Sequence, residues 1–251
     1  MPATKNDIIS QLQKDILPLL GFKPPSPGMA VDVGLGPVEA AFPNATFPTG
    51  AIHEFLSAGA ESGAASGGFI AGLLAGLMRR GGACIWISSS RTLFPAALKV
   101  FDIEPDQIIF VDLPREKDVL WAMEESLKCE GLAAVIGEMR EISFTASRRL
   151  QLAVEKSRVT GFILRPQPRN QSTVACVSRW KITPLPSELE EGMPGVGFPR
   201  WNVELLKIRN GKPGIWQIEW STGRFHPIFE TTSPLSQVLQ EELEQQRRKT
   251  G

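Results

Sequence analysis

Five continuous apolar segments recur through the middle of the chain, and a helical pattern follows each of the first four. The strand candidates are Ala51–Leu56, Ala83–Ser88, Gln107–Asp112, Leu132–Glu138 and Gly161–Leu164. The helix candidates between them are Gly67–Arg80, Leu93–Phe101, Lys117–Cys129 and Thr145–Lys156. Continuously apolar strands are buried on both faces, and strands that alternate with helices pair in parallel. The pattern therefore predicts an α/β fold with a mostly parallel central sheet and helices on both faces.

The pattern changes after Arg165, where shorter segments of mixed polarity begin. Three further strands are predicted, in STVACVSRWKITPLP, RWNVELLKIRN and GIWQIEWS. Asn210 and Gly211 lie between the last two, and an Asn-Gly pair between alternating segments is typical of a hairpin. We therefore expect a C-terminal antiparallel β-hairpin extension. Its core should be filled by tryptophans that do not serve as ligand contacts, namely Trp180, Trp201, Trp216 and Trp220.

The composition of the ends differs from that of the core. We expect residues 1–29 to form a helical arm with a proline-rich linker, residues 30–230 the core, and residues 231–251 a polar helical tail. Apolar residues at helical spacing make both ends candidate partner contacts. The alternatives are that the arm docks on its own core and that the tail is a solvated end. These candidate contacts are Ile8, Leu12 and Ile16 in the arm, and Leu235, Val238 and Leu239 in the tail.

The charge balance and the cysteines exclude several classes of protein. Lys+Arg and Asp+Glu each number 27, so no net charge directs the chain to nucleic acid or membrane, although a local basic patch is still allowed. Cys84, Cys129 and Cys176 are odd in number and lie in apolar runs, which predicts reduced core thiols, as in a cytosolic protein. The two histidines, His53 and His226, are far apart in sequence, so we expect no metal site.

The longest uncharged stretch, Ser62–Met78, is short for a bilayer span. It contains Gly68, Gly72 and Gly76 at four-residue spacing. Such a series allows two membrane helices to dimerise, but in this context it favours close packing of one helix on a sheet. We therefore expect a cytoplasmic protein with no membrane partner.

A Gly/Ser-rich segment follows the first strand, where nucleotide-binding proteins carry a phosphate loop. The loop motif G-x-x-x-x-G-K-[ST] needs its lysine to neutralise the outer phosphates. Here Ala64 stands in place of that lysine, and no other cation lies in the segment. The candidate degenerate nucleotide-binding loop comprises Glu61, Ser62, Gly63, Ala64, Ala65 and Ser66.

Two stretches of this region resemble the RecA-like core: FPTGAIHEFLSAGAESGAASGGF, and CIWISSSRTLFPAALKVFDIEPDQIIFV. The resemblance implies that the second strand should end in an acidic pair, one member of which polarises the attacking water. Ser88 and Ser90 occupy those positions, so both acids are lost. It also implies an Asp at the end of the metal-side strand, and at that Walker-B-like position this chain has Glu138, a departure from Asp. As an ordinary residue, Glu138 would be a partly exposed acid at a strand end.

Longer passages resemble the ImuA family, which comprises RecA- and SulA-like proteins of bacterial damage-induced mutagenesis. They are GLGPVEAAFPNATFPTGAIHEFLS, the run from DVLWAMEESLKCEGLAAVIGEM to SRRLQLAVEKSRVTGFILRP, and the run from SRWKITPLP to PGVGFPRWNVELLKIRNGKPGIWQIEW. The resemblance implies an accessory role in error-prone lesion bypass. It also implies a Y-family-polymerase-related partner of the ImuB type, together with an error-prone polymerase and RecA.

Loss of the lysine and of the water-activating acid removes the charges that stabilise phosphoryl transfer. We therefore expect a non-enzymatic adaptor with no cofactor, for which weak ATP binding remains open. One alternative is an active, DNA-stimulated ATPase with a lysine supplied from elsewhere. A second alternative is a SulA-like inhibitor of cell division.

A basic loop and the helix before it form a candidate contact with single-stranded DNA. LRPQPRNQST follows the last parallel strand, at a place where RecA-like proteins meet DNA, and arginines are good phosphate donors. The alternative is an ordinary solvated loop, and contact through so few charges would be weak and sensitive to salt. The candidate residues are Arg148, Arg149, Arg165, Arg169 and Asn170.

Overall fold

The computed structural model describes residues 31–170, 173–188 and 196–228. The candidate partner contacts in residues 1–29 and 231–251 lie outside the described residues. Within the described ranges, nine strands form one sheet in the order β3-β2-β4-β5-β1-β6-β7-β8-β9. The strands are β1 (Ile52–Ser57), β2 (Ala83–Ser88), β3 (Ile108–Asp112), β4 (Leu132–Glu138), β5 (Thr160–Pro166), β6 (Ser178–Leu185), β7 (Arg200–Ile208), β8 (Gly214–Ser221) and β9 (Arg224–Pro227).

Three α-helices connect the parallel strands: α1 (Ala60–Met78), α2 (Glu116–Ser126) and α3 (Phe144–Ser157). Short 3₁₀ helices cover Gly36–Ala41, Pro43–Ala45, Pro95–Phe101 and Pro105–Gln107. Two predicted helices differ most from these bounds. Helix α1 begins at Ala60, well before the predicted Gly67. The predicted helix Leu93–Phe101 is a 3₁₀ helix that starts at Pro95, where proline fixes φ and lacks the backbone N–H that a preceding turn would need.

The predicted α/β architecture is confirmed in the parallel part of the sheet. Strands β3, β2, β4, β5, β1 and β6 pair in parallel, with β1 between β5 and β6. Every residue of β1 is buried. One hydrophobic cluster, with Phe55 and Phe69, lies beneath α1. A second, with Val154 and Ile163, lies beneath α2 and α3. Helices therefore cover both faces, as continuous apolar strands require.

The antiparallel extension is larger than the predicted hairpin. Strands β6, β7, β8 and β9 form an antiparallel run, and Asn210 adopts φ 59° in the turn between β7 and β8. Strand β9, which has only four residues, was not predicted from the sequence. Trp180, Trp201 and Trp220 are buried in the cluster beneath α1, whereas Trp216 is only half-buried. The predicted tryptophan core is thus confirmed for three of the four.

Helix α1 approaches its neighbours along its glycines. A methyl group at Gly72 would come within 2.4 Å of the Phe225 ring, and one at Gly76 within 2.6 Å of the Val33 Cα. A methyl group at Gly68 would lie 3.4 Å from the Trp201 ring. The glycine series therefore packs against the body of the protein, as predicted. No helix within the described residues is long and apolar enough to cross a membrane.

Candidate functional site at the carboxyl edge of the sheet

The carboxyl ends of the parallel strands meet along one edge of the sheet, where open α/β folds bind their ligands. Ser57 ends β1, Ser88 ends β2 and Glu138 ends β4, so the edge carries three of the polar groups at or near the predicted site. The candidate phosphate-loop segment and the basic loop begin at the same edge. The strand order thus brings together most of the site residues predicted from the sequence.

The connection from β1 to α1 consists of two residues, Ala58 and Gly59, and residues 60–66 are helical. The Gly63 amide already donates to the Gly59 carbonyl at 2.9 Å, in the manner of an α-helix. The Ser62 hydroxyl caps the helix start, because it accepts a hydrogen bond from the Gly59 amide (3.1 Å) and lies 3.2 Å from the Gly59 carbonyl. A phosphate cradle requires loop amides that are free to converge on an anion, whereas several polar groups of this segment serve the helix itself.

The remaining hydroxyls of this segment are also engaged. The Ser57 and Ser66 hydroxyls lie 3.1 Å apart, and Ser57 also donates to the Ser62 carbonyl at 3.3 Å. Both serine side chains are buried. Ala64, at the position where the phosphate-loop motif has a lysine, is exposed. The segment therefore offers small, internally bonded groups and no cation.

Glu138 differs from the partly exposed acid predicted for it. Its relative exposure is 8%, and its Oε1 accepts a hydrogen bond of 2.6 Å from the Trp86 indole N–H. Burial raises the pKa of the Glu138 carboxyl, and the hydrogen bond from Trp86 opposes this shift. At the two positions where the RecA-like resemblance implies acids, Ser88 is buried and Ser90 is exposed. The Glu138 carboxyl group therefore holds the Trp86 indole through a hydrogen bond. To bind a metal, Glu138 would have to give up that hydrogen bond.

Arg165 is the largest correction to the predicted DNA contacts, because its side chain is fully buried. Its Nη1 donates to Glu54 Oε1 at 2.7 Å, and its Nη2 lies 3.1 Å from Glu141 Oε2. Its Nε donates to the carbonyl of Arg140 (2.9 Å) and its Nη2 to that of Asn170 (3.0 Å). All three nitrogens have protein partners, so this guanidinium is not presented to phosphate.

The buried carboxylate of Glu54 bridges two arginines. Its Oε2 accepts a hydrogen bond of 2.5 Å from Arg179 Nε, while its Oε1 binds Arg165. Glu54 lies on β1, Arg165 on β5 and Arg179 on β6, and these strands are adjacent. The cluster therefore ties three strands together at the centre of the sheet.

The other predicted DNA contacts are exposed but not equally available. Arg149 pairs with Glu124, and Arg148 lies 3.6 Å from Glu155. The Arg169 side chain is exposed and forms no ion pair within the described residues, and Asn170 is exposed beside it. The structure thus separates Arg169 from the arginines that carboxylates already neutralise.

Arg140 is a candidate residue that sequence reasoning missed. It is exposed in the loop after β4, and its side chain forms no ion pair within the described residues. Glu141 brings this loop to the loop after β5, because its Oε1 accepts a hydrogen bond of 2.8 Å from the Arg169 amide. The available signal was the position of Arg140, two residues beyond the end of a predicted parallel strand.

Histidines and cysteines do not assemble a metal site in the described part of the chain. His53 is buried, with Nδ1 2.6 Å from the Ser178 hydroxyl and Nε2 2.8 Å from the Pro48 carbonyl. Burial lowers the pKa of His53 to about 4. Cys84 and Cys176 are buried free thiols, as expected, but Cys129 is exposed just beyond α2, so its prediction as a core residue is wrong.

No protein-family model matches the chain. Protein ImuA of Caulobacter vibrioides (strain NA1000 / CB15N) is 36% identical over 211 residues, which cover 79% of this chain and 86% of that protein. The chain belongs to the ImuA family. Protein ImuA of C. vibrioides strain ATCC 19089 / CIP 103742 / CB 15 matches to the same extent. The family predicted from the sequence is therefore confirmed.

A solved structure shows which fold this ImuA-family chain adopts. The crystal structure of the RadB recombinase superposes with a TM-score of 0.55 and covers 79% of this chain and 100% of that chain. The two sequences are 12% identical, so the likeness concerns the fold alone. Together with the parallel strands and the antiparallel extension, it confirms the predicted RecA-like core.

Proposed function

We propose that this ImuA-family protein is a non-enzymatic accessory protein of error-prone translesion DNA synthesis in the response to DNA damage. It acts as an adaptor through contacts with a Y-family-polymerase-related protein of the ImuB type, and further with an error-prone polymerase and RecA. Membership of the ImuA family supports the pathway. The state of the nucleotide-site residues supports the absence of catalysis.

The start of α1 is the observation that carries this proposal. Residues 60–66 form helix where a phosphate loop would wrap a triphosphate, and Ala64 supplies no charge. Preorganised cations and a metal provide most of the stabilisation of a transferring phosphoryl group. The segment has no cation, and the Glu138 carboxyl is held by Trp86. These features favour a RecA-like frame used for binding over one used for hydrolysis.

Steady-state ATP turnover, measured with and without single-stranded DNA, tests the absence of catalysis. We expect the wild type and Gly63→Glu to show the same rate as the buffer. Nothing lies within 4 Å of a methyl group built at Gly63, so this variant should fold while placing a negative charge in the segment. Turnover in the wild type that Gly63→Glu abolishes would instead establish the alternative, an active ATPase.

A pull-down from DNA-damaged cells, analysed by mass spectrometry, tests the adaptor role. The proposal expects recovery of a lesion-bypass polymerase or a relative of one. Recovery of a tubulin-like division protein in its place would support the SulA-like alternative. Recovery of neither from damaged cells would contradict the adaptor role.

A second proposed function is weak contact with single-stranded DNA at the carboxyl edge. It is favoured by Arg140 and Arg169 on neighbouring loops, whose exposed side chains form no ion pair with any residue that the structure describes. Two phosphate contacts with a single strand contribute about 1.4 to the slope of log affinity against log salt concentration. Arg140→Ala/Arg169→Ala should lower the measured slope by about that amount. An unchanged affinity and slope would remove this surface from the DNA contact.

A further inference from the structure

The two loops that carry Arg140 and Arg169 are joined by one acidic side chain. Glu141 Oε2 lies 3.1 Å from Arg165 Nη2, and Glu141 Oε1 accepts the Arg169 amide at 2.8 Å. Glu141 belongs to the loop after β4, whereas Arg169 belongs to the loop after β5. One carboxylate oxygen thus joins the two loops directly, and the other binds Arg165 on β5.

Arg165 completes this bridge from the core. The same guanidinium donates to the Arg140 carbonyl at 2.9 Å and to the Asn170 carbonyl at 3.0 Å. Its own position is held by Glu54, which is fully buried. Arg165 and Glu141 therefore fix the backbone of both loops on a rigid part of the sheet.

A negative charge beside two phosphate-binding arginines ordinarily weakens the binding of DNA. Here the Glu141 carboxylate is compensated by Arg165, while the side chains of Arg140 and Arg169 form no ion pair in the part of the chain that the structure describes. A preorganised loop loses less conformational entropy when its side chains contact a ligand. The bridge should therefore favour DNA binding, because the conformational entropy that it saves is larger than the remaining repulsion between the compensated Glu141 carboxylate and phosphate.

We infer that Glu141 is a positioning residue for binding of a single-stranded DNA backbone, which holds Arg140 and Arg169 in register for neighbouring phosphates. This inference rests on the proposed contact between the carboxyl edge and DNA. The effect on DNA affinity that this role predicts is opposite to the effect that simple electrostatics predicts. Removing the negative charge of Glu141 weakens binding, since the two loops are no longer joined.

Titration of a fluorescein-labelled oligothymidylate with the full chain, at several salt concentrations, tests the inference. Glu141→Gln keeps the size of the side chain but turns an amide N–H₂ or a neutral oxygen toward Arg165. We expect affinity to fall by about 3- to 10-fold, in line with the cost of ordering one or two side chains, and the salt slope to fall with it. Glu130→Gln is the matched control, because Glu130 is likewise an exposed acid and forms no ion pair within the described residues. That variant should bind as well as the wild type or slightly better.

Three outcomes separate the inference from the function on which it depends. Weaker binding by Glu141→Gln, with a lower salt slope and unchanged binding by Glu130→Gln, supports both. Wild-type binding that Glu141→Gln leaves equal or stronger overturns the positioning role and leaves the DNA contact standing. Absence of salt-dependent binding by the wild type overturns the DNA contact and the positioning role together. Urea unfolding of each variant identifies any loss of binding that comes from loss of folded protein.

Discussion

Replacement of Arg165 by methionine should destabilise the protein strongly, although methionine retains an unbranched apolar chain in place of the arginine stem. The guanidinium is fully buried and contacts two carboxylates, Glu54 and Glu141, as well as two backbone carbonyls. In the variant, Glu141 can turn to solvent because its side chain is 43% exposed. Glu54 is fully buried and keeps only Arg179 as its cationic partner.

The expected loss follows from the carboxylate that stays behind. Removing one partner of a buried ion pair typically costs about 3–5 kcal/mol, most of it the penalty for the remaining charge. Arg179 retains part of the compensation of Glu54, so we expect about 3 kcal/mol, at the lower end of that range. For a domain of this size, such a loss lowers the Tm by roughly 6–12 °C.

Urea unfolding followed by tryptophan fluorescence measures this loss directly. Arg115→Met is the matched control, since Arg115 forms an ion pair of 2.5 Å with Asp118 but its side chain is 64% exposed. Exposed pairs contribute about 0–1 kcal/mol, so the control should stay within about 1 kcal/mol of the wild type. Equal effects of the two substitutions would refute the argument.

The double variant Glu54→Leu/Arg165→Met sharpens the test. If the cost of Arg165→Met comes from an uncompensated Glu54, removing that carboxylate should recover part of the lost stability. Strictly additive losses would show that packing of the arginine stem, and not its charge, was responsible.

Other substitutions test the packing and the titration of buried groups. Gly76→Ala should cost about 1–3 kcal/mol in urea unfolding, because its methyl group would lie 2.6 Å from backbone, whereas Gly63→Ala should be neutral or stabilising by up to about 1 kcal/mol. Burial lowers the pKa of His53 to about 4 from an ordinary 6.5. The contribution of His53 to the free energy of unfolding is therefore full above pH 6.5, and it should fall by on the order of 3 kcal/mol as the pH drops through 4. His53→Asn should remove that slope in a pH series of unfolding curves, whereas the exposed His226→Asn should keep it. Burial raises the pKa of Glu138 above 4.5. Its contribution to the free energy of unfolding is therefore full below pH 4.5 and declines as the pH rises through the folded-state pKa. Over that window, Glu138→Gln should gain stability relative to the wild type. A constant difference between Glu138→Gln and the wild type across that series would contradict the burial argument.

The sequence by itself determined the parallel part of the fold. Each parallel strand from β1 to β5 was visible as an apolar run, because a strand covered by helices on both faces has no position that favours a polar residue. The Asn210-Gly211 turn likewise marked the hairpin, since few other residues adopt its backbone conformation. The four-residue β9 has too little pattern of its own and is defined by its pairing with β8.

Local patterns also determined which side chains the candidate nucleotide-binding segment lacks. The absence of a lysine between Glu61 and Ser66 needs no structure to be seen. The sequence did not show, however, that this segment is helical from Ala60 onward or that its serines bond to one another. Small residues suit both a loop and a closely packed helix, and contacts with Phe225 and Val33 favour the helix only once the chain has folded.

Tertiary structure alone decided the roles of the charged residues. Arg165 follows an apolar strand like an ordinary loop arginine, but its partner Glu54 lies 111 residues earlier in the chain. Trp86 and Glu138 are separated by 52 residues, and adjacent strands bring them together. Whether a charge is buried, paired or free depends on which strands become neighbours, and the strand order is a property of the whole sheet. Arg140 and Arg169 therefore differ from Arg165 only in the environment that the fold provides.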